Sequence, residues 1–335
     1  MSDQGPETRE ARPFVAADEQ VHQVDPDDWT WNESWFFSWI DLDGGPAGFF
    51  RVGLLPNQRR AMLWSFVHID GRWLGIEESR LSLDDVDQAD GVAYDRWGLR
   101  FAWLPDPPLE GARFRFGGSL LERSGTGSGA YVPVEVDLRC RATSQVVGTG
   151  TGDDDNRSPF EARRFEQTVD VEGTVTVAGT EHTVRAGGQR DRSWGPREWR
   201  LQFTLGDVQG GDRQLYFVGR SFPGPGGGFL RTGDGAVEHL VAVEDSFIQY
   251  DDAGHTFATG RLHLKGATSD LEVDLTPIAP AVTFDMAHTC PAPEHWLYYR
   301  TLVDVEVSGW DGPSRGWLET SRYDGAGPPV TREPK

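Results

Sequence analysis

Along most of the chain, apolar and polar residues alternate with a period of two. Val132, Val134, Val136 and Leu138 fall on one side of an extended segment, and Glu135, Asp137 and Arg139 on the other. Val169, Val171, Val175 and Val177 alternate with Thr168, Asp170, Glu172, Thr174 and Thr176. The spacing returns at Leu271, Val273 and Leu275, and again at Val303, Val305 and Val307. Turn-forming clusters such as DLDGGPAG, HIDGRW and YDDAGH separate the runs. No amphipathic helix of ordinary length is evident. The pattern predicts an all-β protein of many short strands, built as a sandwich or as barrels.

The alternation lapses in SQVVGTGTGDDDNRSPFEARR (144–164), which is polar, Gly-rich and acidic and reads as a linker or a surface loop. Taken as a boundary, it predicts an N-terminal β domain over 28–150, a linker or loop over 151–164 and a C-terminal β domain over 165–325. The ends, 1–27 and 326–335, read as disordered or loosely attached. An internal echo pairs DRWGLRFAW (95–103) with DRSWGPREW (191–199). Two barrels of common ancestry would leave such a trace, and so would chance in a chain rich in Trp, Gly and Arg.

Composition narrows the partners. The 335 residues carry 32 basic and 53 acidic side chains, a formal charge of −21. A field of that sign repels phosphate backbones and anionic lipid surfaces, so nucleic acid and membrane are excluded as expected partners. Two cysteines are too few for a disulfide framework and suit a reducing compartment. No apolar run is long enough to span a bilayer and the N-terminus is polar, so a cytoplasmic location is expected. Thirteen tryptophans beside 41 glycines suggest either aromatic cavity walls or a large sheet core.

The densest chemistry lies in AGGQRDRSWGPREWR (186–200), with four arginines, two carboxylates, two tryptophans and a Gly-Pro break. Together with NESWFFSW near the start and GWLETSRY near the end, the segment GGQRDRSWGPR resembles the double-lipocalin proteins related to carotenoid hydratases, a group that includes hydroxyneurosporene synthase and lipocalin-like Diels–Alderases. The similarity is greatest to an actinobacterial branch of unknown function that shares Asp-x-Ser-Trp-Gly-x-Arg. The resemblance covers about residues 28–325. It implies two tandem lipocalin-like β-barrels packed side by side, a hydrophobic pocket for a terpenoid- or polyketide-like ligand, and no metal or organic cofactor. One departure matters. Where the hydratases have Asp-His-Asn-Trp-Gly, this chain has Asp191, Arg192, Ser193, Trp194 and Gly195. An arginine stays protonated and cannot shuttle a proton as the family's histidine is thought to do.

Asp191 and Glu33 are the candidate acid–base residues. A carboxyl in a dry aromatic site has its pKa raised and can donate a proton, whereas a structural Asp–Arg ion pair would keep it ionised. Glu33 lies among Trp31, Trp35 and Trp39, and either lines a cavity or pairs with an arginine of the central segment. Arg192 and Arg197 are candidate electrostatic clamps. Trp35, Trp194, Trp199, Tyr216 and Glu319 are candidate substrate-binding residues, with core packing as the competing role for the aromatics. The whole segment is expected to form a cavity wall where the two β units meet. Other signals are weak. His288, Cys290 and His295 lack further metal ligands, SFPGPGGGF is a loop without P-loop context, and Ser193 lacks a nucleophile elbow. The expected function is cofactor-free acid–base chemistry on an apolar small molecule: hydration or dehydration, isomerisation, or cyclisation. The alternative is a non-catalytic carrier of a lipophilic ligand. A carboxyl inside the cavity and not saturated by arginines favours the enzyme.

Overall fold

The computed structural model describes residues 13–123, 129–149, 163–199, 203–219, 226–250, 257–285 and 296–323. Among them there is no α-helix, only three short 3-10 turns, and no helix long and apolar enough to cross a membrane. The first sheet contains β1 (Trp31–Ile40), β2 (Ala47–Leu55), β3 (Arg60–Ile69), β4 (Arg72–Ser82), β5 (Val86–Asp87), β6 (Val92–Arg96), β7 (Leu99–Pro105), β8 (Gly111–Arg123), β9 (Tyr131–Ala142), β10 (Val147–Thr149), β11 (Arg163–Val177) and β12 (Thr180–Pro196). The second contains β13 (Phe203–Gly210), β14 (Arg213–Val218), β15 (Gly227–Arg231), β16 (Val237–Tyr250), β17 (Phe257–Gly266), β18 (Asp270–Pro277), β19 (Val282–Asp285), β20 (Trp296–Val307) and β21 (Ser314–Tyr323).

Both sheets close. Strand β9 pairs with β8 and with β11, so β11-β12-β1-β2-β3-β4-β8-β9 forms a ring of eight strands. Strand β18 pairs with β17 and with β20, closing β13-β14-β15-β16-β17-β18-β20-β21 in the same way. The fold is therefore two tandem lipocalin-like barrels, as the alternation and the resemblance predict.

The period of two sorts side chains into three cores. Trp35, Phe37, Trp39, Phe50, Trp103 and Phe114 fill the lumen of the first barrel. Phe217, Leu262, Leu264, Val273 and Val303 fill that of the second. The outward faces of both barrels meet in a third core containing Phe36, Phe49, Trp64, Phe203, Phe284, Tyr298 and Trp317. Hydrogen bonds cross this contact, from Ser38 Oγ to Asp207 Oδ2 at 2.7 Å, from Tyr216 OH to Glu166 Oε1 at 2.9 Å and from Trp73 Nε1 to the Pro280 carbonyl at 2.8 Å.

Three sequence expectations are corrected. The change of barrel does not fall at 151–164. Strand β12 is flanked by β1 and β11, so the first barrel runs to Pro196 and the second begins at Phe203. Gly195, at φ 113°, and Pro196 end the strand where the chain crosses over. The N-terminal segment is not loose from Pro13 onward. A 3-10 turn, Ala16–Glu19, packs against the first barrel with Asp18 and Glu19 buried. The echo is not a repeat of barrels, because both copies lie in the first one. Trp97 occupies an exposed turn at φ 57°, whereas Trp194 is buried within β12. Residues 1–12, 150–162, 220–225 and 324–335, and with them the start of the expected N-terminal tail, the expected C-terminal tail and most of the expected linker, lie outside the described residues. So do His288, Cys290 and His295.

Candidate active site between the barrels

Strand parity divides the central segment between two places. Trp35 pairs with Arg192 and Glu33 with Trp194 across β1 and β12, so these four share the lumen face of the first barrel. Asp191 pairs with Phe36 on one side and Glu166 on the other, and these three share the outward face.

On the lumen face the N-terminal segment and the arginines form a closed ionic cluster. Arg192 Nη2 donates to Glu33 Oε2 and, at 2.6 Å, to the Gln20 carbonyl. Its guanidinium lies 3.9 Å from the centre of the Trp35 ring. Glu33 also accepts from the His22 and Trp31 N–H groups at 3.2 Å each. Burial pushes the Glu33 carboxyl up, but Arg192 and His22 outweigh it and hold it below the usual range. The His22 ring stacks on Trp194 at 4.0 Å. Arg190 Nη1 donates to Glu19 Oε1 at 2.7 Å, and Arg190 Nε to Gln167 Oε1 at 2.8 Å. The expected pairing of Glu33 with an arginine of the segment is thus present, and the same pairing takes Glu33, Arg192, Trp35 and Trp194 away from any cavity shared with Asp191.

The outward face lines a cavity between the barrels. Its walls include Phe36, Phe49, Trp64, Phe203, Leu205 and Phe284, with Arg51, Arg164, Asp191, Arg197, Tyr298, Arg300 and Glu319 among them. The enclosed space is about 40 Å³, room for about three waters. Asp191 Oδ2 accepts from Arg164 Nη2 at 2.9 Å, while Asp191 Oδ1 is buried without a hydrogen-bond partner. Behind Arg164, Glu166 accepts from Arg164 Nε, Gln189 Nε2 and Tyr216 OH. Opposite, Arg300 Nη1 donates to Glu319 Oε2 at 2.7 Å, and Arg300 Nη2 lies 3.8 Å from Asp207 Oδ1. Arg197 stacks on Trp199 at 4.1 Å, and Tyr298 OH donates to the Trp199 carbonyl at 3.2 Å.

Burial pushes the Asp191 and Glu166 carboxyls up, against the pull of Arg164 between them. The two form a pair that shares one guanidinium, and the pair retains a proton that an isolated carboxylate would lose. Glu166 is pushed up to about 8, yet it accepts from three donors and Asp191 from one, so Asp191 Oδ1 is the oxygen left open to a shared proton. A folded-state pKa above the unfolded value contributes stability that is full below about pH 4 and is lost as pH rises through the raised value. Between pH 5 and 8 the denaturation midpoint of the wild type is expected to fall more steeply than that of Asp191→Asn. Parallel slopes in guanidinium titrations would remove the shared proton.

Of the residues singled out from sequence, Asp191, Arg197 and Glu319 line the cavity. Trp199 borders it through Arg197 and through Arg51, 5.1 Å from its ring. Tyr216 stands behind the wall on Glu166. Arg51, Arg164, Tyr298 and Arg300 were not singled out. Arg51 and Arg300 carried a readable signal, as single cations inside the apolar strands GFFRVGLL and WLYYRTLV. Among the described residues, Ser193 is buried without a hydrogen-bond partner for its hydroxyl. No cluster of three or more potential metal ligands stands among the described residues.

Solved structures share this architecture. A Nitrosomonas europaea protein described under the name AttH aligns over 97% of this chain and 100% of its own, at TM-score 0.58 and 14% identity. CghA aligns over 90% and 93%, at 0.50 and 13%. Kievitone hydratase from Nectria haematococca aligns over 87% and 89%, at 0.50 and 13%. At these identities the likeness is one of fold. No curated protein matches the chain in sequence. The family described as "Domain of unknown function (DUF7064)" matches residues 15–323, nearly the whole of both barrels, and the chain belongs to that family.

Proposed function

We propose that the protein is a cofactor-free acid–base catalyst acting on an apolar small molecule in the cavity between the barrels, with Asp191 as the proton donor. The observation that carries this is the state of Asp191: buried, on the cavity wall, one oxygen on Arg164 and the other without a partner. A carrier has no use for an unsaturated carboxyl oxygen in its binding site, since it costs stability and binds nothing apolar.

The step is a proton transfer. The Asp191 Oδ1–H bond breaks and the π pair of a substrate alkene takes the proton. The carboxylate that remains is stabilised by Arg164 Nη2. The neighbouring carbon, now cationic, is met by water or loses an adjacent proton. In either case a proton returns to Asp191, which gives hydration or isomerisation with no net change in the enzyme. Phe36, Phe49 and Trp64 line the space with apolar surface for the substrate body. The aromatic wall suits a terpenoid- or polyketide-like body. One structural neighbour is by its name a hydratase, which is compatible with this class. A substrate of that size exceeds about 40 Å³, so the barrels must part to admit it. Because the wall is contributed by two closed barrels, it can widen without breaking a strand pair in either.

The test is isotope exchange. Purified protein is incubated in D₂O with a panel of alkene-bearing terpenoids and polyenes, and deuterium incorporation is followed by mass spectrometry. At least one compound is expected to gain deuterium at carbon with the wild type and not with Asp191→Asn. Exchange that is equal in the two proteins rejects the assignment.

A further inference from the structure

We propose that Arg51 is the receptor for a carboxylate of the ligand, so that the cavity takes an apolar monocarboxylic acid. This rests on the reading that the inter-barrel cavity is the substrate site.

Arg51 sits on β2, in the row that runs Asp191, Phe36, Arg51, Trp64 across four adjacent strands. It is 5% exposed. Among the described residues its side chain makes one hydrogen bond, from Nη1 to the thioether of Met62 at 3.3 Å, a weak acceptor. Nη2 is buried without a partner. Arg164 holds Asp191 and Glu166, and Arg300 holds Glu319, but no described carboxylate stands within ion-pair distance of Arg51. The position is nonetheless built for a guanidinium. Its carbon lies 4.9 Å from the Trp64 ring centre and 5.1 Å from that of Trp199. Gly53 leaves the space that the group occupies, since a Cβ there would meet Arg51 Nη1 at 3.0 Å.

A buried cation without a counter-ion is costly, and two indole faces offset only part of that cost. No described residue supplies that anion; a carboxylate on the ligand would. A planar guanidinium flanked by two rings presents its edge, which suits the two oxygens of a carboxylate. The aromatic walls and the net charge of −21 both disfavour a polyanion such as a phosphate ester. Phe36 separates Arg51 from Asp191, two strand spacings or about 10 Å between main chains. A carboxylate on Arg51 would thus hold the apolar body of the ligand over Phe36 and against Asp191.

The test is calorimetric titration with benzoate, cinnamate and cis-parinarate, each beside its methyl ester. The wild type is expected to bind at least one acid about tenfold or more tighter than its ester. Arg51→Met is expected to lose that preference and to bind the ester as the wild type does. Asp191→Asn is expected to keep it. Equal affinity for acid and ester, no binding of any acid at millimolar concentration, or an unchanged preference in Arg51→Met each overturns the proposal. If Arg51→Met does not fold, Arg51→Gln and the acid-to-ester ratio of the wild type decide. A wild type that prefers acids but exchanges no deuterium upholds the receptor and rejects the catalytic reading, so the two fail separately.

Discussion

Asp191→Asn is expected to leave both barrels folded and to lower turnover by about 10²–10⁴-fold, the contribution of a general acid or base. The amide oxygen still accepts from Arg164, and Glu166 still neutralises that guanidinium. What is lost is the ionisable proton at Asp191 Oδ1, which is buried without a hydrogen-bond partner among the described residues. The variant also places no charge where burial already disfavours one, so folding stability at neutral pH is expected to hold or rise. Glu319→Gln is the control. Glu319 lines the same cavity but is spent on Arg300, and its loss is expected to change turnover far less. Steady-state rates and denaturation midpoints of the three proteins decide the matter. Full activity in Asp191→Asn would move the acid elsewhere in the wall, to Glu319 first.

The largest effect on stability is expected at Glu33. Glu33→Ala strands a fully buried Arg192 and removes the acceptor used by the His22 and Trp31 N–H groups. Breaking a buried pair in this way costs about 3–5 kcal/mol. The double change Glu33→Leu with Arg192→Met removes both charges and is expected to recover most of the loss. The pH dependence has the opposite sign to that of Asp191. The Glu33 pKa lies below its ordinary value, so its stabilisation is present above about pH 4.3 and disappears as pH falls through the lowered value. Glu33→Ala should therefore lack that acid limb in denaturation curves followed by tryptophan fluorescence. Turnover per folded molecule should be unchanged, because the cluster faces the lumen and not the cavity. A selective loss of turnover would return Glu33 to the chemistry.

The barrels were legible because alternation is local: each strand announces its own two faces. Their closure was not, since the pairings β9–β11 and β18–β20 join distant segments that no short window relates. The boundary was misplaced because an acidic, Gly-rich stretch reads the same whether it joins domains or strands. Here β10 and β11, on either side of it, pair with each other in one barrel. Asp191 was legible from the company it keeps in the sequence. The division of Asp191 from Glu33 was not, because it depends on the register of β1 against β12, in which Phe36 faces Asp191 and Glu33 faces Trp194. Arg51 and Arg300 were missed for a simpler reason. A lone cation in an apolar strand looks like noise until a second barrel covers it.

Placing the cavity between two sealed barrels also shapes how the protein can change. On β1, Trp35, Phe37 and Trp39 hold the first barrel together, while Ser34 and Phe36 face the cavity. The same holds along β2, where Phe50 and Val52 point inward and Phe49 and Arg51 point to the cavity. Scaffold and chemistry are thus interleaved in the chain yet separated in space by the thickness of one sheet. A substitution on the outer parity alters the cavity wall without opening a void in either lumen. Selection can therefore revise the cavity wall one residue at a time while the packing inside each barrel stays as it is.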